Sequence, residues 1–260
     1  MASGPCEVST YEQNALQNFK KYEIYYPEEL KTSDRTYPVI VICNGSGTPL
    51  SKYPAVPKQL ASWGFIVIGT EEEYAWNGFG AEMCIRYLER LNETEQTEKG
   101  EPNFFFQKID LSETGILGHS QGDVGVINAI TAQDHKEIYK AAAALSPTNQ
   151  QLAADIEWEY DAGLIDTPIL LISGAGGGDD WVVTLDQLEG IYDQIRSSKI
   201  MVRRSDTPHD KVLYAEQGYV TAWFMWLLQD DQEAARAFIG QKAEILSNPL
   251  YQDQQIDLKQ

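Results

Sequence analysis

The chain has 260 residues, 43% hydrophobic and 23% charged, an ordinary globular balance with enough apolar material to bury a continuous core without disulfide or metal staples. Asp and Glu number 39 against 20 Lys and Arg, a formal charge of −19, which argues against nucleic acid or an anionic membrane as partner. The longest apolar runs, such as 38–43, are far too short to cross a bilayer, and the opening residues Met-Ala-Ser-Gly-Pro-Cys lack the basic and apolar regions of a secretory leader. Either a cytoplasmic protein or a mature secreted form is expected.

Residues 22–26 read as an antiparallel edge strand. The run 37–43 (YPVIVIC) is apolar on both faces, rich in β-branched side chains and closed by Asn44-Gly45. Similar runs follow at 65–69, 114–118, 141–145, 168–173 and 200–203. Continuous apolar runs bounded by Gly, Pro or Ser are the signature of buried parallel strands. Helical spacing appears between them at 54–63, 80–91, 121–132, 184–197 and 211–229. The polar stretches 92–103 and 149–166 both read as loops, or as loop with a short helix. Alternating strands and helices predict one α/β domain over 1–260, a mostly parallel sheet with helices on both faces and ligands at the carboxyl ends of the strands.

Cys6, Cys43 and Cys84 have no metal-like spacing; Cys43 and Cys84 read as buried or incidental thiols, with one disulfide left open. At the end of the third parallel run stands Gly118-His119-Ser120-Gln121-Gly122, a G-x-S-x-G pentapeptide at a strand-to-helix junction. Glycines two before and two after give room for a turn tight enough to hold the Ser120 hydroxyl above the sheet. Gln121 opens the following helix, so its backbone N–H faces the space beside that oxygen.

A serine hydroxyl needs a base to attack at neutral pH. Three histidines are available. His119 lies inside the turn, where its side chain should point away from the hydroxyl. His135, between Asp134 and Lys136, reads as a solvated surface residue. His209, in the loop after the last strand, has the place and the chain order of the base. The acid is sought after strand 168–173, where four glycines precede Asp179 and Asp180. Asp179 is preferred, with Asp180 as a helix-cap residue or the alternative acid. The glycine-rich Asn44-Gly45-Ser46-Gly47 loop supplies the second oxyanion donor, the Ser46 amide with Gly45 as neighbour. No phosphate-loop lysine or G-x-G-x-x-G spacing accompanies the glycines, and no metal cluster can be assigned.

Over residues 26–240 the chain resembles α/β-hydrolases of the polyester-hydrolase and cutinase-like type, near dienelactone-hydrolase and chlorophyllase-like esterases. The resemblance is carried by Asn44-Gly45-Ser46, the 60–68 segment LASWGFIVI, Lys108-Ile109-Asp110, the 115–122 segment GILGHSQG, Asp179 before Ile191-Tyr192, and Pro208-His209 before the 219–224 segment YVTAWF. It implies Ser120 as nucleophile, His209 as base, Asp179 as acid and the Ser46 and Gln121 amides as oxyanion donors, without a cofactor. Members of the family usually carry an aromatic residue at the position of Ser46, a methionine at that of Gln121, a tryptophan after the strand ending at Leu145, and a terminal disulfide. None of these is matched here, which implies a smaller or more polar ester.

The expected activity is therefore carboxylic-ester hydrolysis through an acyl-enzyme, on a small-molecule or polymeric ester. A thioesterase, lipase or peptidase on the same triad, or a non-catalytic binding module on the same fold, are the alternatives. Trp76, Asn77 and Phe79 are candidates to line the site or to pack, and Trp158 and Tyr160 to form a lid edge. Glu71-Glu72-Glu73 reads as a solvated acidic face, and 219–228 as a core-packing helix.

Overall fold

A computed structural model describes residues 2–97 and 100–259. Among the described residues nine strands form one sheet: β1 (Val8–Asn14), β2 (Lys21–Pro27), β3 (Tyr37–Cys43), β4 (Ile66–Thr70), β5 (Ile109–His119), β6 (Tyr139–Leu145), β7 (Ile169–Gly174), β8 (Lys199–Arg204) and β9 (Tyr251–Asp257). Their order is β1-β2-β4-β3-β5-β6-β7-β8-β9. The six strands from β4 to β8 run parallel, while β1, β2 and β9 join antiparallel. The mostly parallel α/β sheet expected from the sequence is present.

Alternation along β3 shows why both of its faces are apolar. Val39, Val41 and Cys43 enter a core shared with α2 (Phe79–Glu93), α3 (Gln121–Ala132) and α5 (Leu185–Gln194), through Ile85, Val126 and Leu188 among others. Ile40 and Ile42 enter the opposite core, beneath α1 (Ala55–Ser62), α6 (His209–Ala215) and α7 (Gln217–Gln229), with Leu60, Val212 and Trp223. Each layer removes its apolar stripe from water against one face of the sheet. The alanines at 141–144 of β6 leave space for close helices, and the Trp223 indole reaches the strand to donate to the Ala142 carbonyl (3.0 Å). Three short helices complete the chain: α4 (Gln150–Asp155), α8 (Gln232–Ala235) and α9 (Glu244–Ser247).

Three expectations are corrected. Residues 22–26 do form an antiparallel strand, but β1 covers its outer side, so it is not the edge. Both outermost strands, β1 and β9, are polar sequences without the apolar signal. The helix expected over 211–229 starts at His209 and is interrupted at Glu216. That residue is buried, with its carboxylate against Arg204 and accepting a hydrogen bond from the Tyr251 hydroxyl (2.6 Å). The stretch expected as loop over 92–103 begins inside α2, which runs to Glu93; residues 98 and 99 of it lie outside the described residues.

Register sets up the site. Cys43 pairs with Gly118, His119 with Leu145, Leu145 with Ile172, and Gly174 with Arg204. The loops leaving β3, β5, β6, β7 and β8 are thus brought to one rim.

Candidate active site

Ser120 sits between β5 and α3 at φ 60°, ψ −124°, a conformation that costs a non-glycine residue on the order of 1–3 kcal/mol and persists where its surroundings over-determine it. Here they do: its amide donates to the Leu145 carbonyl (3.0 Å), and its carbonyl accepts from Asp123 N (3.0 Å). The two flanking glycines are required by close approach. A Cβ on Gly118 would enter the Gly122 carbonyl, and one on Gly122 would enter that of Cys43. Asp123 is fully buried and accepts from Leu145 N (2.9 Å), which ties α3 to β6; burial raises its pKa well above the usual carboxylate range.

His209, the first residue of α6, and Ser120 line one cleft. The His209 Nδ1 lies 2.6 Å from Asp179 Oδ1. Asp179 is wholly buried, and its Oδ2 accepts from the Ser146 hydroxyl (2.7 Å) and Gly174 N (2.6 Å). Burial pushes the Asp179 pKa up, but the bonds from His209, Ser146 and the Gly174 amide together outweigh it and leave the carboxylate below its ordinary range. Asp180, its neighbour, turns the other way to ion-pair with Arg203. Nor does Asp180 cap α5: Thr184 does, in a capping box with Gln187.

The Ser46 loop is fixed from beneath. Asn44 is buried, donates to the carbonyls of Thr70 (2.8 Å) and Glu72 (2.9 Å), and accepts from the Tyr53 hydroxyl. Gly47 N donates to Glu73 O (2.9 Å). Among the described residues no group accepts a hydrogen bond from the Ser46 amide, and the Gln121 amide is the first of α3, without a carbonyl four residues back inside the helix. The Gln121 side chain is fully buried and accepts from Ala75 N (2.8 Å), so it points away from the cleft. The polarity of residue 121 therefore does not make the cleft polar, which removes one ground for expecting a polar ester.

His119 departs from expectation. Its ring lines the cleft, 4.6 Å from the His209 ring, and its Nε2 lies 2.8 Å from the His209 carbonyl. Desolvation, then the nearby His209, lowers its pKa to about 4, so it is a neutral donor to that carbonyl at ordinary pH. His135 is not a free surface residue either: its Nδ1 is 2.8 Å from the buried Glu82 and its Nε2 3.2 Å from Glu89. Among the described residues, no group of His, Cys, Asp and Glu could hold a metal ion, and the three cysteines are unpaired.

The cleft has a volume of about 450 Å³ and is walled by Leu152, Ile156, Trp158 and Trp181, with Thr148 from the Ser146-Pro147-Thr148 segment that follows the strand ending at Leu145. Trp181 packs edge-on to the His209 ring at 5.0 Å. A second cavity of about 320 Å³ adjoins it across Gly45, Thr48, His119 and Asp210, and runs toward Tyr53, Leu213 and Tyr214. Of the two residues expected at a lid edge, Trp158 lines the cleft, whereas Tyr160 is tied to Thr148 O (2.7 Å) outside the lining. Trp76, Asn77 and Phe79 do not line the cleft. Sequence reasoning missed Ser146 and Trp181: a serine after a strand and a tryptophan in a loop carry no motif.

A family profile described as PET hydrolase-like (PETase) matches residues 1–248. The chain belongs to the PET hydrolase-like family. It is an α/β-hydrolase, and membership supports hydrolysis of esters. A search of curated proteins finds no match. No helix among the described residues is long and apolar enough to cross a membrane.

Proposed function

We propose that the chain is a serine carboxylic-ester hydrolase acting through an acyl-enzyme, with Ser120 as nucleophile, His209 as base and Asp179 as acid. The observation that carries this reading is the 2.6 Å bond from a buried, triply hydrogen-bonded carboxylate to the one histidine that shares a cleft and the correct chain order with the strained serine. His209 Nδ1 keeps its proton toward Asp179, leaving Nε2 to accept the Ser120 proton as Oγ attacks the acyl carbon. The developing oxyanion is received by the Ser46 and Gln121 amides, each worth about 3 kcal/mol in the transition state. His209 then protonates the leaving alcohol and takes a proton from the water that releases the acid.

Apolar and aromatic cleft walls favour an ester whose acyl or aryl part is apolar, and the adjoining cavity provides room for the second arm. A p-nitrophenyl ester series tested beside a peptide amide separates ester from amide hydrolysis. Fluorophosphonate labelling, with Ser120→Ala as control, tests the nucleophile. Labelling lost in Ser120→Ala and turnover of esters alone are expected. An unlabelled, folded wild-type protein would favour a binding module instead.

A further inference from the structure

Away from the cleft, the loop 71–77 and the start of α2 form a recess of about 380 Å³ with residues 18–20. Three aromatic rings line it, those of Phe19, Tyr74 and Phe79. Phe19 and Phe79 are in tilted contact, with centroids 5.9 Å apart and 50° between their planes, and Tyr74 is left 62% exposed. Glu72, expected as part of a solvated acidic face, is only 8% exposed and lines the same recess. Its neighbours Glu71 and Glu73 are otherwise engaged: Glu71 accepts from the Ser51 amide and hydroxyl, and Glu73 pairs with Lys20 at 2.9 Å. Among the described residues no cation pairs with Glu72, whose backbone N–H donates to the Thr70 hydroxyl (3.3 Å).

We propose that this recess binds a small organic cation, an alkylammonium or quaternary ammonium group, between the three rings and the Glu72 carboxylate. Ring faces attract a cation through their quadrupole, and a desolvated carboxylate without a counter-ion supplies the matching charge. Lys20 does not fill this role: its ammonium is taken by Glu73, and among the described residues no Lys or Arg lies over any of the three rings. The carboxylate lies against the first turn of α2, since a Cβ on Gly80 would overlap it. The positive end of that 15-residue helix helps keep it ionised. Burial raises the Glu72 pKa to about 7, so mildly alkaline buffer presents the charged form. The formal charge of −19 adds a long-range attraction for cations that salt removes, whereas the local cage is screened less.

The test is calorimetric titration of the full chain at mildly alkaline pH and moderate salt with choline and, separately, its neutral isostere 3,3-dimethyl-1-butanol. Saturable one-site binding of choline is expected, at least about tenfold tighter than that of the alcohol. Glu72→Gln and Phe79→Ala should each weaken choline about tenfold, while Ser120→Ala leaves it unchanged. Phe79 is 46% exposed, so its variant carries the test even where Glu72→Gln fails to fold. Absence of binding, equal affinity for the alcohol, or full affinity in Phe79→Ala would overturn the proposal. Because binding is read without ester turnover, this outcome is independent of whether Ser120 is a nucleophile.

Discussion

Ser146→Ala isolates the support of the proposed acid. Asp179 has three donors: His209 on Oδ1, and Ser146 (2.7 Å) and Gly174 (2.6 Å) on Oδ2. The substitution removes one of them from a fully buried carboxylate without touching the cleft lining. A hydrogen bond to a charged group is worth about 1.5–3 kcal/mol. At roughly 2–4 °C per kcal/mol for a chain of this size, the melting temperature at neutral pH should fall by roughly 3–12 °C. The pH dependence follows from the direction of the Asp179 shift. Its folded pKa lies below the ordinary 3.8, so its stabilising contribution is present above that value and is lost as pH falls through the folded pKa. Without Ser146, burial is less opposed and the folded pKa rises, so acid unfolding should begin at higher pH than in the wild type. In turnover, a less firmly held carboxylate should lower kcat on a p-nitrophenyl ester on the order of tenfold, about 1.4 kcal/mol of barrier, with KM little changed. Asp180→Asn is the control, because its partner is Arg203 and not His209; kcat should stay within about twofold. Unchanged kcat and acid unfolding in Ser146→Ala, or an Asp180→Asn loss equal to that of Asp179→Asn, would refute the reasoning.

Trp181 is 67% exposed yet packs on the His209 ring, so Trp181→Ala should change melting little while lowering kcat/KM for aryl and long-chain esters by about tenfold and for acetate esters less; a uniform loss would assign the ring to positioning of His209 alone. His119→Phe keeps a ring against His209 but deletes the donor to its carbonyl. A net loss of about 0.5–1.5 kcal/mol should lower kcat severalfold, and because His119 is already neutral above about pH 4, the pH–rate profile in the neutral range should keep its shape. Glu216, pushed up to about 7 by burial against the Tyr251 and Arg204 contacts, disfavours its charged form in the fold, so the wild type loses stability as pH rises from the unfolded value of 4.5 toward 7. Glu216→Gln cannot ionise, so its melting temperature relative to wild type should rise between mildly acidic and mildly alkaline buffer, by at most about 3 kcal/mol in stability; a flat difference would show that Arg204 neutralises the carboxylate fully.

What was legible in the sequence follows burial. The six parallel strands are apolar on both faces, so runs such as YPVIVIC carry their own assignment. The outermost strands β1 (VSTYEQN) and β9 (YQDQQID) bury little, and their polar composition reads as loop. Ser120 was legible because its strained turn requires glycines at fixed offsets, and His209 because only three histidines compete. The Asp179–Asp180 ambiguity could not be resolved along the chain, since adjacent side chains diverge and only the partners, His209 for one and Arg203 for the other, separate them. Burial of Glu72 left no trace either: three consecutive glutamates look alike, and the recess that takes one of them is closed by Phe19, some fifty positions away.

The same loop explains why a polar residue is tolerated beside the proposed nucleophile. Residues 70–75 offer four backbone groups to the side of the site that carries the proposed oxyanion donors: the Thr70 and Glu72 carbonyls to Asn44, the Glu73 carbonyl to Gly47 N, and the Ala75 amide to the Gln121 side chain. An apolar side chain at 121 would leave the buried Ala75 N–H without this partner, at about 1–3 kcal/mol. Gln121 thus acts inward as a brace, and the β3 loop and the start of α3 are both anchored on one segment. The two amides proposed to receive charge at a common point are held by a third element, so the cleft wall is free to be built from elsewhere. It is Trp158 and Trp181, carried on the loops after β6 and β7, that supply the apolar surface. Under the proposed reading, substrate preference rests on loops that can vary without disturbing the groups proposed to do the chemistry.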